Sequence, residues 1–290
     1  MTNLNRLLFS QPVALLDQNI LSSRDTLVPF ALTDTLTAFA EKQQKPILHF
    51  WQFSQTMILG MKDTRVPHFS EGIAALMKHN YQPVIRNSGG LGVIADQGVL
   101  NLSLILPNPP EHKLTIDRAY LIMSDWIASA FQTKEKRIEA YEISSSYCPG
   151  TFDLSIEGKK FAGLAQRRVK NGIAVMAYLS VEGNQLMRGE VVRQFYQAAL
   201  KDGFGQNGYP AVDPTVMENL GTLIGEELTV AEVKNRLLFS FEEHFGKSLH
   251  EEPLESWTAL AEFSEDYHKQ LEKMVQRNQQ LKEETNALFL

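Results

Sequence analysis

The one cysteine of the chain, Cys148, stands in a polar loop, Ser144-Ser145-Ser146-Tyr147-Cys148-Pro149-Gly150, rather than in an apolar strand. A free cysteine is ordinarily a small buried hydrophobe. A thiol set before a Pro-Gly turn among serines departs from that pattern. Downstream, Glu157-Gly158 reads as a two-residue hairpin turn, which places Ile156 opposite Lys159 and Ser155 opposite Lys160. The returning strand then carries Lys160 back toward the Cys148 loop. A free thiol of pKa near 8.5 is about 3% ionised at pH 7, and a depression of about two units by a nearby ammonium makes it mostly thiolate. The pair is therefore a candidate nucleophile and its electrostatic partner. The plain alternative for Lys160 is an exposed strand lysine.

A second candidate is Arg86-Asn87-Ser88-Gly89-Gly90-Leu91-Gly92, followed by Asp96 and Asn101. Glycines at 89, 90 and 92 after an apolar strand permit positive φ and a close backbone approach to a ligand. Arg86 and the loop amides could then face a carbonyl or an anion. The alternative is a tight turn between strands.

The elements that must position these groups are legible in outline. Apolar spacing predicts helix over 28–44, stopped by Pro46, then strands at 47–53 and 56–61. A short helix at 69–80 and strands at 82–86, 92–95 and 99–106 follow. Thr115 caps a helix running to 133. A strand at 138–142 leads into the cysteine loop. Runs at 152–156, 159–169 and 173–181, joined by turns at Glu157-Gly158 and Asn171-Gly172, make successive antiparallel strands. Helix returns at 190–201. From Pro210 onward the chain reads as all-helical, with a capping box at Thr229-Val230-Ala231-Glu232. The expected class is α+β, with mixed and antiparallel sheets flanked by helices. A catalytic domain is expected over 1–205 and a helical C-terminal extension over 206–290.

Composition bounds the function. In 290 residues, 43% hydrophobic and 21% charged, there is material for a large core without disulfide or metal. A lone cysteine excludes an intramolecular disulfide and fits a reducing compartment. The formal charge of -6 argues against nucleic acid as a partner. Apolar runs such as Val99–Pro107 are too short to span a bilayer, and residues 1–12 lack the layout of an export signal, so a cytoplasmic protein without a membrane partner is expected. The seven histidines are not paired at ligand spacing with one another or with Cys148, so no metal is expected. There is no phosphate loop of the Gly-x-x-x-x-Gly-Lys-Ser/Thr type and no Gly-x-Ser-x-Gly elbow.

Over roughly residues 30–205 the two candidate segments together resemble the lipoate and biotin protein ligase family, which includes lipoyl and octanoyl transferases. Arg86 through Gly90, with Asp96 and Asn101, is similar to the family's Arg-x-Ser-Gly-Gly acyl-pocket loop. Gly158-Lys159-Lys160-Phe161-Ala162-Gly163-Leu164-Ala165-Gln166 is similar to its Gly-x-Lys-hydrophobic-Ala/Ser-Gly-x-Ala segment. The resemblance implies that Lys160 contacts the acyl carbonyl and lowers the pKa of the nucleophile. It further implies that Arg86, Ser88, Gly89, Gly90, Asp96, Gly163 and Ala165 bind substrate.

The runs Ser-Gly-Gly-Leu-Gly-Val-Ile-Ala-Asp and Tyr-Cys-Pro-Gly-Thr-Phe-Asp-Leu-Ser resemble the branch that moves octanoate between lipoyl-type domains. That implies Cys148 as an acyl-thioester nucleophile, the octanoylated glycine-cleavage H protein as donor, and lipoyl domains of 2-oxoacid dehydrogenases as acceptors. Ligases that use ATP commonly carry a third consecutive Gly and a His in this loop. Leu91 and Ala95 stand there instead, which implies a route without ATP or another cofactor. Loading from acyl carrier protein and ATP-dependent lipoate ligation are the rival activities. The proton donor to the leaving lysine is open among Lys160, Asp96 and the histidines. Arg167, Arg168 and Lys170 could steer acidic lipoyl domains.

Overall fold

The computed structural model describes residues 11–287; the start of the chain, on which the expectation about an export signal partly rests, lies outside the described residues. In chain order the elements are β1 (Val13–Leu21), α1 (Val28–Gln43), β2 (Ile47–Phe53), β3 (Gln55–Leu59), α2 (Phe69–Met77), β4 (Gln82–Ile85), β5 (Val93–Asp96), β6 (Val99–Pro107) and α3 (Ile116–Phe131). They continue with β7 (Glu139–Ala140), β8 (Leu154–Ile156), β9 (Lys159–Val169), β10 (Gly172–Ser180), α4 (Gln185–Leu200), α5 (Leu220–Ile224), α6 (Val230–Phe245), β11 (Leu249–Glu251), α7 (Leu254–Thr258), α8 (Ala261–Arg277) and α9 (Gln279–Ala287).

The larger sheet has eight strands in the order β11-β1-β2-β6-β10-β9-β8-β7, and a smaller one has the order β4-β3-β5. The larger sheet is mixed: β1 runs parallel to both β2 and β11, and the rest pair antiparallel. Every residue of β2 and β6 is buried, which is what central strands covered on both faces require. On one face Leu48, Phe50, Leu102 and Leu104 pack against α3 and α6. On the other, Ile47, Ile105 and Ala174 pack against Leu32 and Leu36 of α1. The smaller sheet closes a further core with α2 and α4.

Register decides what faces the site. Trp51, Asn101, Tyr178 and Gly163 lie side by side across β2, β6, β10 and β9, on the α1 side of the sheet. Met176 and Ala165 pair one row along on the same face. The hairpin between β8 and β9 has the expected register, Ile156 opposite Lys159 and Ser155 opposite Lys160. Its turn residues Glu157 and Gly158 both have positive φ, 51° and 77°, as a primed turn demands.

Departures from expectation have local causes. β1 was not anticipated, because polar residues interrupt its second half and a bulge breaks its register between Asp17 and Ile20. The part of the chain read as all-helical contains β11, a strand of three residues whose ladder to β1 has no local sequence signal. The turn expected at Asn171-Gly172 falls one residue earlier: Gly172 already pairs with Val169, and Lys170 takes the left-handed conformation at φ 52°. Gly172 is glycine for another reason, since a Cβ there would meet the Thr37 carbonyl oxygen of α1 at 2.4 Å. The helix expected at 190–201 begins earlier, at Gln185, capped by the side chain of Asn184.

Residues beyond 206 share these cores. Leu223, Val233, Leu237 and Phe241 pack into the core beneath the larger sheet. Met274 and Leu281 pack into the core of the smaller sheet. Asn278 accepts the Ile85 N–H at 2.7 Å and donates to the Ile85 carbonyl at 3.0 Å, so it pairs with β4 as a strand would. Among the described residues no helix is long and apolar enough to cross a membrane.

Candidate active site

A cavity of about 310 Å³ opens between the larger sheet, α1 and the loop between β4 and β5. That is the low end of the range for small-ligand sites, about 300–1,000 Å³. Its apolar wall comes from Phe30, Trp51, Ile58, Leu102 and Met176. Its polar end is made by the two segments singled out in the sequence: Arg86, Ser88, Gly89 and Gly90 on one side, Cys148, Pro149 and Gly150 with Lys160 on the other. Gly163 and Ala165 supply the floor beneath Lys160. A Cβ at 163 would meet Lys160 Cε at 3.5 Å, an ordinary van der Waals contact, so the lysine stem packs directly over this position.

Cys148 is half-buried and takes φ 49°, a conformation that costs a non-glycine residue about 1–3 kcal/mol and persists only where the surroundings enforce it. Its Sγ accepts a hydrogen bond from the Leu91 N–H at 3.2 Å, and an Arg86 guanidinium nitrogen lies 3.7 Å away. Arg86 also donates to the Leu91 carbonyl at 3.1 Å, bracing the loop that supplies that amide. Gly90, at φ 95°, admits this closure: a Cβ would lie 2.3 Å from the Arg86 guanidinium and 3.2 Å from Sγ.

Lys160 is 3% exposed, not a surface lysine. Its ammonium meets Asp153 Oδ1 at 2.9 Å, Ser146 Oγ at 3.1 Å, and the carbonyls of Tyr147 at 3.1 Å and Cys148 at 2.9 Å. Three N–H groups are thus divided among four oxygens. Lys160 reaches the Cys148 loop through the backbone carbonyl, while the contacts at the sulfur come from Arg86 and Leu91. Burial pushes the Asp153 carboxyl up, opposed by the Lys160 ammonium and by the N–H groups of Gly150 and Ile143.

Asp96 is not brought to the cavity wall. Its carboxylate is held by the buried Arg188, Oδ1 at 2.6 Å and Oδ2 at 2.8 Å, and accepts the Gly98 N–H; it fastens α4 to the turn before β6. Arg167 forms a forked pair with Asp34 at 2.7 and 2.8 Å, and Arg168 donates to the Leu114 carbonyl.

Several groups were missed from sequence. Asp153 follows Cys148 in the same loop, and a carboxylate there is the counter-charge a buried lysine requires. Asp63 is fully buried, accepting from Gly60 N–H and Tyr196 O–H, each at 2.7 Å. Its position in Gly60-Met61-Lys62-Asp63 gives no hint of burial. Among the described residues no group of three or more His, Cys, Asp or Glu side chains could hold a metal ion.

The site is thus a cavity with an apolar wall, a thiol at its polar end and the larger, mixed sheet as its floor. Residues 25–242 match the lipoyl protein ligase A/B catalytic domain, and the chain belongs to that family. Its relatives include proteins named octanoyl-[GcvH]:protein N-octanoyltransferase. The one from Oceanobacillus iheyensis is 42% identical over 254 residues, covering 87% of this chain and 88% of its own. Another, from Staphylococcus epidermidis, is 40% identical over 266 residues, covering 90% and 92%. The fold is shared with a lipoate-protein ligase A solved with ATP (TM-score 0.68, 18% identity, 90% of this chain and 94% of that one). A bipartite lipoate protein ligase from Thermoplasma acidophilum is similar at TM-score 0.65 and 19% identity, over 91% and 93%.

Proposed function

We propose that this chain is a protein N-octanoyltransferase of the cytoplasm, acting through a Cys148 thioester, with 1–205 as catalytic domain and 206–290 as a mostly helical extension packed into its cores. The observation that carries the reading is a half-buried sulfur at the polar end of an apolar cavity, with an amide and a guanidinium aimed at it. The names of relatives that align along most of their length support the donor, the octanoylated glycine-cleavage H protein. Lipoyl domains of 2-oxoacid dehydrogenases are the acceptors.

In the first half-reaction the Cys148 thiolate attacks the carbonyl carbon of the octanoyl-lysine amide. The C–N bond breaks, and the donor lysine leaves as an amine after taking a proton. In the second, an acceptor lysine attacks the thioester, the C–S bond breaks, and the thiolate returns. One lysine amide becomes another, so no ATP is needed. An amine attacks a thioester far more readily than an amide, which is the gain from splitting the reaction. Arg86 and the Leu91 N–H stabilise the thiolate before attack. Lys160, its charge matched by Asp153, holds the Cys148 loop in its left-handed turn. The N–H groups of Lys160 are engaged by Asp153, Ser146 and two carbonyls; the proton that the leaving amine takes from solvent is returned when the attacking acceptor amine gives one up, so the two halves need none net. The loop amides of Gly89 and Gly90 and the Arg86 guanidinium are the groups nearest a developing oxyanion. The chain's methylenes fill the apolar wall, at about 0.8 kcal/mol per CH₂ removed from water.

The test is a comparison of donors. Purified protein with a lipoyl-domain acceptor is offered octanoyl-H protein, octanoyl-acyl carrier protein, or octanoate with ATP. Transfer from octanoyl-H protein without ATP is expected. Preference for the carrier protein would establish the first rival, and dependence on ATP the ligase.

A further inference from the structure

The site contains a second buried assembly that the acyl-transfer reading does not use. Asp63 accepts the Gly60 N–H and the Tyr196 O–H, each at 2.7 Å; Tyr196 Oη in turn accepts the Gly92 N–H at 3.1 Å. The next amide along the chain, Leu91 N–H, is the one that meets Cys148 Sγ at 3.2 Å. Gly60 sits so close beneath this loop that a Cβ on it would be 1.9 Å from the Gly90 carbonyl oxygen.

We propose that Tyr196 and Asp63 are positioning residues for the nucleophile: they fix the Leu91-Gly92 backbone so that its amide points at the Cys148 sulfur. The inference rests on Cys148 being the nucleophile, and extends it to residues from α4 and from the turn after β3. Direction in the chain of hydrogen bonds supplies the logic. Because Tyr196 donates its hydroxyl to Asp63, the phenol oxygen is left to accept from Gly92, and the loop cannot rotate without stranding a buried amide. Asp63 makes no ion pair among the described residues; Arg86 and Lys62 act on it from a distance, and burial pushes its carboxyl up to about 6. An acid buried on neutral donors alone is costly to keep, and what it holds here is the loop that faces the sulfur. Arg86 and Cys148 are the other ionisable groups at this loop.

The test uses Tyr196→Phe, which deletes the oxygen and little else, with Tyr209→Phe as comparison. Tyr209 packs at a tilt against Tyr196 and donates its hydroxyl to the Lys62 carbonyl at 2.9 Å, so its substitution removes a hydroxyl from the same cluster without touching Gly92. Alkylation of Cys148 by iodoacetamide is followed across pH in the full-length protein, alongside thermal melting. Y196F should react about tenfold more slowly than wild type at pH 7 and equally fast at high pH, where the thiol is ionised regardless. Y209F should follow the wild-type profile even if it melts earlier. A Y196F profile identical to wild type, or the same displacement in both variants, overturns the proposal. Should Y196F fail to fold, amide hydrogen exchange in the wild type decides: Leu91 and Gly92 amides must be protected together, and exchange as fast as at exposed Gly89 overturns it. Alkylation needs no octanoyl donor, so this outcome is separate from whether Cys148 carries an acyl group.

Discussion

Lys160→Met keeps a long apolar stem and deletes the ammonium. In the native protein that ammonium lies 2.9 Å from Asp153 Oδ1 and touches three further oxygens within 3.1 Å, and both charged side chains are 2% exposed. Removing one member of a buried ion pair costs about 3–5 kcal/mol, because the other is left uncompensated. Asp153 has an escape, since burial already pushes its carboxyl up and the ammonium was opposing that push. Losing Lys160 moves that carboxyl further up and eases its protonation, which brings the loss toward about 3 kcal/mol, still a large part of a stability of about 5–15 kcal/mol. At about 2–4 °C per kcal/mol in chains of 150–250 residues, Tm should fall by about 6–12 °C. Adding Asp153→Asn removes the stranded carboxyl and should return about half of that loss. Transfer should not return with it: the Cys148 loop has lost its tether, and misplacement of a nucleophile by an ångström costs on the order of 100-fold. Calorimetry and single-turnover octanoyl transfer on the three variants measure both effects. A Lys160→Met protein that melts like wild type would refute the buried pair. A double variant that recovers stability and transfer together would refute any role for the ammonium beyond folding.

Two buried groups impose opposite pH dependences. Burial holds the His49 imidazole down near pH 3, so between about pH 6.5 and 3 the unfolded chain binds a proton that the folded one does not, and acidification destabilises the protein. Asp63, pushed up to about 6, binds its proton earlier in the folded state, so its contribution is fully present below about pH 4 and is lost as pH rises through about 6; that is about 3 kcal/mol. Urea midpoints at pH 7 and pH 4.5 should therefore fall less on acidification in His49→Gln, and more in Asp63→Asn, than in wild type. Gly60→Ala should slow transfer at least tenfold, roughly the effect of displacing the Gly90 carbonyl that its methyl would overlap, whereas Gly89→Ala, with open space around its Cβ, should change stability by less than about 0.5 kcal/mol. Arg167 is tied to Asp34, which leaves the exposed Arg168 and Lys170 to steer acidic domains; reversing both charges should slow transfer at low ionic strength and lose its effect above about 0.5 M salt.

The sequence was most readable where structure is local. The β8–β9 hairpin, its register and the return of Lys160 to the Cys148 loop follow from a two-residue turn and alternation. The capping box at Thr229 and the cap at Thr115 are equally local. What escaped depends on contacts distant in sequence. β11 exists because β1 offers it a ladder, and Asp96 faces Arg188 because α4 crosses the turn before β6. The chemistry at the sulfur was half legible. The reading that an ammonium lies near Cys148 is right for the loop, but the left-handed turn at Cys148 presents its carbonyl to Lys160 and its sulfur to Arg86 and Leu91. No spacing rule reports the sign of φ at a cysteine.

Intact-protein mass spectrometry of the enzyme mixed with octanoyl-H protein, without acceptor, addresses the acyl-enzyme itself. One octanoyl group should appear on Cys148, come off with hydroxylamine, and be absent from Cys148→Ser, which should also fail to transfer. Transfer by Cys148→Ser at the wild-type rate, with no adduct on either protein, would contradict the account.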